Sequence, residues 1–311
     1  MKAYLLYEAG GPDQLVHGDT ERPTLKSGEV LVRTKAIGIN PADTIYRNSP
    51  TFITHIFGQE RPVILGWDIA GELVEKAENT DGFEVGDAVF ALLQNARGYA
   101  EFVAINIELL AHKPDNITFE EAAATPMAGL TAWQPLVHGM TIKNGNKILI
   151  HGASGGVGHY AVQIAKYLGA HVIATSSAKN RDFVLSLGAD QHIDYQAENF
   201  WEVLSDVDFV FDTIGGETLD HSIAVTKPGG TIISIIPMTD ERPMADAQAK
   251  NINLTLWGLK FSGDDLRAFA ELMARGILKS HLAKTYPFTA MAAAHTQVET
   301  RRTAGKIVLT V

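Results

Sequence analysis

Up to about residue 113 the apolar positions fall in short runs rich in Val, Ile, Leu and aromatics. They cover Met1–Tyr7, Glu29–Ile39, Asp68–Lys76, Ala88–Leu93 and Tyr99–Ile105. Gly and Pro signals separate them, as in GG at 10–11, SGE at 27–29 and VGD at 85–87. Many short strands with turns between them predict a partly closed barrel. Near Pro114 the pattern changes. FEEAAATPMAGLTAWQPLV is alanine-rich and reads as helical, and strands then alternate with helices. Lys147–His151, His171–Thr175, Phe209–Asp212 and Gly230–Ile236 read as strands. Between them, Val157–Leu168, Asn180–Leu187 and Glu217–Val225 read as helices, the first with Val157, Ala161, Ile164 and Leu168 on one face. Alternation of this kind builds a parallel sheet covered by helices. Beyond residue 258 the pattern leaves this unit. Helices near Asp264–Arg275 and Ala290–Arg301 and strands at Leu282–Phe288 and Lys306–Val311 read as a return to the first domain.

Composition narrows the classes. The 311 residues exceed one ordinary core and predict two domains. A formal net charge of -10 argues against a nucleic-acid partner and against an anionic membrane surface. No stretch approaches the length of a membrane span, and the N-terminus lacks the apolar core of a signal peptide. With no cysteine, a disulfide scaffold, a cysteine-based zinc site and a cysteine nucleophile are all excluded. A cytoplasmic location fits this pattern.

The chemistry concentrates in ILIHGASGGVG, a strand running through a glycine-rich turn into a helix. Ser154, Gly155, Gly156, Val157 and Gly158 let the backbone approach a ligand closely. The helix start offers unpaired N–H groups to a pyrophosphate. Ala153 departs from the G-x-G-x-x-G pattern, but the strand before and the helix and strand after place the turn where dinucleotides bind. At the end of the second strand an acid would hold an adenosine ribose and favour NAD. Ser176 stands there instead, followed by Ser177, Lys179 and Arg181. Hydroxyls and a cation suit a 2′-phosphate, so the stretch predicts NADPH.

The chain resembles the medium-chain dehydrogenase/reductases, and within them the zinc-lacking quinone oxidoreductase (zeta-crystallin-like) branch. GINPAD at 38–43, LGWDIAGELVE at 65–75, FEVGDAVF at 83–90, ATPMAGLTAWQ at 124–134, HGASGGVG at 151–158, LGADQHIDY at 187–195, FDTIGG at 211–216, KPGGTIISI at 227–235 and GKIVL at 305–309 carry the resemblance along nearly the whole chain. It implies an α/β protein. A GroES-like partly closed β-barrel catalytic domain would occupy 1–117 and 258–311, and a Rossmann doubly wound parallel-sheet domain 118–257. Nicotinamide and substrate would meet between them.

Zinc-dependent relatives have a cysteine where this chain has Asn40 and a histidine where it has Trp67, so the resemblance implies no metal. It assigns the 2′-phosphate to Lys179, Tyr195 and Arg301, with Arg302 competing for the last role, and places Thr131 near the nicotinamide ribose. Asn40 is either a donor to a substrate oxygen or a turn stabiliser. Tyr46 is the nearest phenol for the substrate, although it stands one residue later than in related chains. Asp43 reads as structural. Trp67 and Trp257 either line an apolar slot or are buried. These residues describe NADPH-dependent hydride transfer to a quinone or an α,β-unsaturated carbonyl. An enoyl-thioester reductase and a non-catalytic NADPH-binding redox sensor are the alternatives. The run NINLTLWGLKF at 251–261 reads as a sheet-edge strand, through which a homodimer is expected.

Overall fold

The computed structural model describes residues 1–311. The chain forms two compact units, Met1–Ala128 with Phe261–Val311, and Gly129–Lys260, so that the second is an insertion in the first. These boundaries fall later than 117/118 and 257/258. Residues 118–128 stay with the first unit because Met127 N donates to the buried Asp68 carboxylate at 2.8 Å and the short helix α3 (Phe119–Ala123) packs on the strands bearing it. No helix is long and apolar enough to cross a membrane.

The first unit opens with the antiparallel hairpin β1 (Lys2–Leu6) and β2 (Leu15–Asp19). Its main sheet comprises β3 (Glu29–Ile39), β4 (Asp68–Lys76), β5 (Ala88–Leu92), β6 (Phe102–Asn106) and β7 (Leu110–His112). Two strands from after the insertion join it, β14 (Leu282–Pro287) and β15 (Lys306–Thr310), so numbered because the inserted unit holds the six between. The order is β14-β15-β3-β4-β5-β7, with β6 also on β3. The long β3 serves two partners in turn. Its first half pairs with β6 and its second half with β15, while β4 runs along its other side past two register shifts. Val30 and Val32 on β3, Ile69 and Leu73 on β4, Val89 and Ala91 on β5 and Val103 and Ile105 on β6 meet in one core. Alternate residues of a strand share a face, so these spacings of two or four residues are what the sheet requires.

The second unit is a six-stranded parallel sheet in the order β10-β9-β8-β11-β12-β13. The strands are β8 (Lys147–Ile150), β9 (His171–Ser176), β10 (Gln191–Asp194), β11 (Val207–Asp212), β12 (Thr226–Ser234) and β13 (Asn253–Leu256). After the exposed Lys147 the central strand β8 is wholly apolar and buried, because helices cover both faces. The chain winds outward from β8 to β10, then returns to β11 and continues the other way. That reversal leaves a crevice at the carboxyl ends of β8 and β11, where such sheets bind ligands. At the far edge β13 pairs only with β12.

Candidate functional site

In the inserted unit the crevice is built from the turn after β8. Gly152 sits at φ +62°, a conformation only glycine adopts without strain. Ala153 N donates to Thr175 O at 3.0 Å and Gly155 N to Gly152 O at 2.9 Å, which fold the turn back on β9. A Cβ at Gly158 would lie 2.2 Å from Gly152 O, so the helix α5 (Gly158–Tyr167) reaches the strand this closely only because position 158 has no side chain. His151 anchors the turn from below. It is buried, with Nδ1 3.0 Å from Thr175 Oγ1 and Nε2 2.9 Å from Ser222 Oγ. Burial pushes its pKa down to about 4, so the ring is neutral. The other lip of the crevice is shaped by the buried Asp212, whose Oδ1 accepts from Ile214 N and Gly215 N, both at 3.0 Å, while Oδ2 accepts from Ser234 Oγ at 2.7 Å.

At the carboxyl end of β9 the chain turns into α6 (Arg181–Ser186). Ser176 is buried, Ser177 half-buried and Lys179 exposed without a salt bridge. Tyr195 is 61% exposed, and its backbone N–H reaches Ser176 O at 3.4 Å, so the turn and the end of β10 lie together. Asn180 ties this turn to the glycine-rich one. Its Nδ2 donates to Ser154 Oγ at 3.0 Å and to Ser177 Oγ at 3.3 Å. The structure thus brings together Ser154, the glycines 155, 156 and 158, Ser176, Ser177, Lys179 and Tyr195. Thr131 lies half-buried in α4 (Pro126–Gln134). Arg301 belongs to the first unit, exposed and at φ +53°. No acidic side chain ends β9, and the hydroxyls, the unpaired cation and the glycine-only backbone together fit a phosphorylated dinucleotide.

In the first unit the polar groups after β3 are closed from solvent. Asn40 caps the helix α1 (Pro41–Asn48) and is 3% exposed. Its N–H donates to Asp43 Oδ2 at 2.7 Å, its Nδ2 donates to Asp68 Oδ2 at 2.8 Å, and its Oδ1 accepts from Lys306 Nζ. Both ends of the amide are therefore engaged within the chain, as a turn stabiliser requires. Asp43 is fully buried, and burial raises its pKa to about 7. Burial likewise raises Asp68 and lowers Lys306. A second buried chain runs beside this one. Arg47 donates to Gly10 O, to His295 Nδ1 at 2.9 Å and to Glu299, and His295 Nε2 meets the Tyr99 hydroxyl at 2.9 Å. Arg47 only donates, so Nδ1 accepts and Nε2 of the neutral ring carries the hydrogen.

Tyr46, on α1, faces an aromatic group. Its ring centroid is 4.9 Å from Trp67 and 5.6 Å from Phe52, the latter edge-on at 88°. Trp67 is buried, whereas Ile45, Phe52 and Ile56 are exposed on α1 and on α2 (Pro50–Phe57). Trp257, in the inserted unit, is half-buried.

Residues 26–115 match the model of the alcohol dehydrogenase GroES-like domain, and residues 187–309 that of the zinc-binding dehydrogenases. The chloroplast envelope quinone oxidoreductase homolog of Arabidopsis thaliana is 42% identical over 60% of this chain, and the chain spans 58% of that relative's length. The NADPH-dependent alkenal/one oxidoreductase of the same plant is 31% identical, covering 99% of this chain and 79% of its own. The structure of the quinone oxidoreductase from Coxiella burnetii superposes with a TM-score of 0.93 at 31% identity, covering 100% of this chain and 99% of that one. The chain belongs to the medium-chain dehydrogenase/reductase superfamily. It is a quinone oxidoreductase-like member, with a GroES-like unit and a Rossmann unit.

For a member of a superfamily that includes zinc enzymes, the donor set matters. Asn40 and Trp67 offer no imidazole or thiolate, and no three His, Asp or Glu side chains come together. The Lys306 ammonium already stands 3.6 Å from Asp68, where a cation would balance that carboxylate. These residues do not fit a zinc ion.

Sequence reasoning did not single out Asp68, Asn180, His151 or Lys306. A lysine inside the apolar run KIVLT was the readable sign of Lys306. Nothing local marked Asn180, whose role depends on a fold that brings residue 154 to it.

Proposed function

We propose that this protein is an NADPH-dependent, zinc-independent reductase of quinones or α,β-unsaturated carbonyls. The observation that carries the proposal is the end of β9, where Ser176, Ser177 and the unpaired Lys179 stand beside the glycine-rich turn and the strand itself ends on a serine rather than an acid. The similarity to an NADPH-dependent alkenal/one oxidoreductase and to quinone oxidoreductases supports it.

Bound NADPH would supply the hydride. The chain's residues do the rest. Backbone N–H groups of the turn at 154–158 hold the pyrophosphate, and Lys179 and Tyr195 the 2′-phosphate, with Arg301 assigned to the same phosphate by resemblance. Tyr46 and Phe52, with the buried Trp67 packed against Tyr46, present flat apolar surface suited to a conjugated ring or enone. The Tyr46 hydroxyl has no partner within the chain and is free to donate to a substrate oxygen on which charge develops. Asn40, its amide engaged by Asp68 and Lys306, holds the start of α1 in place.

Fluorescence titration with NADPH and NADH, in the parent and in Lys179→Ala, tests the cofactor half. A preference for NADPH that the substitution erodes is expected, and equal affinity for the two overturns it. Cofactor consumption with a panel of quinones and enones tests the rest. Tight NADPH binding without turnover on any of them would leave a redox sensor as the reading.

A further inference from the structure

Ser176 stands where relatives that read a ribose carry an acid, and a histidine covers its hydroxyl from the neighbouring strand. His192 Nε2 on β10 is 2.8 Å from Ser176 Oγ, and the same hydroxyl lies 3.3 Å from Ser177 O. The pairing is set by strand register, because His192 lies opposite Ala174 and Asp194 opposite Ser176 in the parallel ladder. The ring is half-buried and the serine 2% exposed, so Ser176 has few partners to choose from.

A hydroxyl has one hydrogen to give. When Nε2 is unprotonated, Ser176 gives that hydrogen to the ring and can only accept from a ligand. When Nε2 carries hydrogen, the ring donates to Ser176, whose own hydrogen then goes either to Ser177 O, the longer bond at 3.3 Å, or to a ligand acceptor. A ribose hydroxyl can donate to the serine, whereas a phosphate dianion can only accept. The state of the ring therefore decides which of the two suits the end of β9.

We propose that His192 is a specificity-determining positioning residue that acts through Ser176 to favour a phosphate over a hydroxyl at the adenosine 2′ position. This rests on the reading of the Ser176–Lys179 turn as a phosphate site. A charged ring donates from both nitrogens and adds a cation next to Ser176, so phosphate and proton bind together. Asp194 on its own strand and Glu198 after it favour the charged ring, and Arg181 at the start of α6 opposes it. With no ligand, burial holds the ring neutral near pH 7. A dianion arriving at Ser176 draws a proton onto it.

The probes are adenosine 2′,5′-bisphosphate and adenosine 5′-monophosphate, which differ only in the 2′-phosphate. Their affinities would be measured by calorimetry between about pH 8 and about pH 6.5, above most of the phosphate's own titration. The His192 ring protons would be followed by NMR. For the parent, the bisphosphate binds several-fold more tightly at the lower pH and moves the ring titration upward, whereas the monophosphate does neither. His192→Gln keeps a neutral donor next to Ser176 and removes the pH dependence. Ser176→Ala weakens the bisphosphate more than the monophosphate, most at the lower pH. A bisphosphate preference that Lys179→Ala reduces, with a pH profile that His192→Gln leaves intact, overturns the role of His192 while the phosphate site stands. Equal affinity for the two probes at every pH removes the phosphate site and this proposal with it.

Discussion

Lys306 on β15 and Asp68 on β4 form an ion pair at 3.6 Å, both shut off from water, with Asn40 bonded to each. Taking two charges out of water is costly, and the pair persists because each member has further partners. Lys306 also donates to Ile39 O at 3.2 Å, and Asp68 accepts from Met127 N. The cluster fixes where α1 begins, and so where Tyr46 stands.

Lys306→Met leaves Asp68 charged and uncompensated in a closed site. Removing one member of a buried pair costs about 3–5 kcal/mol. Denaturant unfolding of the first unit should show a loss of that order. Asp68→Asn combined with Lys306→Met should recover part of it, since no lone charge remains. A double-variant loss equal to the sum of the separate Asp68→Asn and Lys306→Met losses would show that the two groups do not act as a pair.

Three buried groups make stability depend on pH in opposite senses. His151 and His295 are held neutral by burial, with pKa values lowered to about 4 and about 3. The unfolded chain takes up protons at these histidines below about pH 6.5, so their contribution to stability is lost as pH falls toward the folded values. Asp43, raised to about 7, works the other way. The folded protein holds its proton between about pH 4 and pH 7, so this contribution is lost as pH rises through that window. Relative to the parent, Asp43→Asn should therefore gain stability as pH rises from about 4 to about 7. Melting curves at a series of pH values read this directly, and a constant offset would reject the assignment.

Asn180 bridges two turns through two hydrogen bonds worth about 1 kcal/mol each at most. Asn180→Ala should weaken NADPH and NADH alike, by about thirtyfold at most. Lys179→Ala should affect only the phosphorylated cofactor. A cofactor-selective effect of Asn180→Ala would mean that it reads the phosphate itself rather than joining the turns.

The outer side of β13 is unpaired, and Leu256 on it is 48% exposed. Such edges invite a second strand unless they are blocked. Light scattering should give twice the chain mass at micromolar concentration, and Leu256→Lys should shift the population to monomer. A parent that is monomeric throughout would mean that the edge is covered differently.

The strand and helix pattern was readable because burial imposes a period. The alternation from Val32 to Ala36 on β3 and the spacing of Ala161 and Ile164 on α5 follow from which face meets the core. The glycine-rich turn was readable because position 158 tolerates no side chain. Partners far apart in sequence were not. Nothing within a few residues of Asn40 announces Asp68 or Lys306, and nothing near Ser176 announces His192, because each contact depends on strand register. The domain boundary was misplaced for a related reason. Helical character near residue 118 is local, whereas the attachment of residues 118–128 is decided by Met127 reaching Asp68.

The interrupted path of the chain has a bearing on its synthesis. All six strands of the Rossmann sheet lie within residues 147–256, so that sheet is fully supplied as soon as this stretch leaves the ribosome. The barrel is not. Its central strand β3 is translated early but has β4 alone along its second half until β15 emerges on the other side, and Asp68 lacks its counter-cation until residue 306. During translation the GroES-like unit is therefore an unfinished sheet with an unmatched carboxylate at its centre, waiting on one of the last strands to appear.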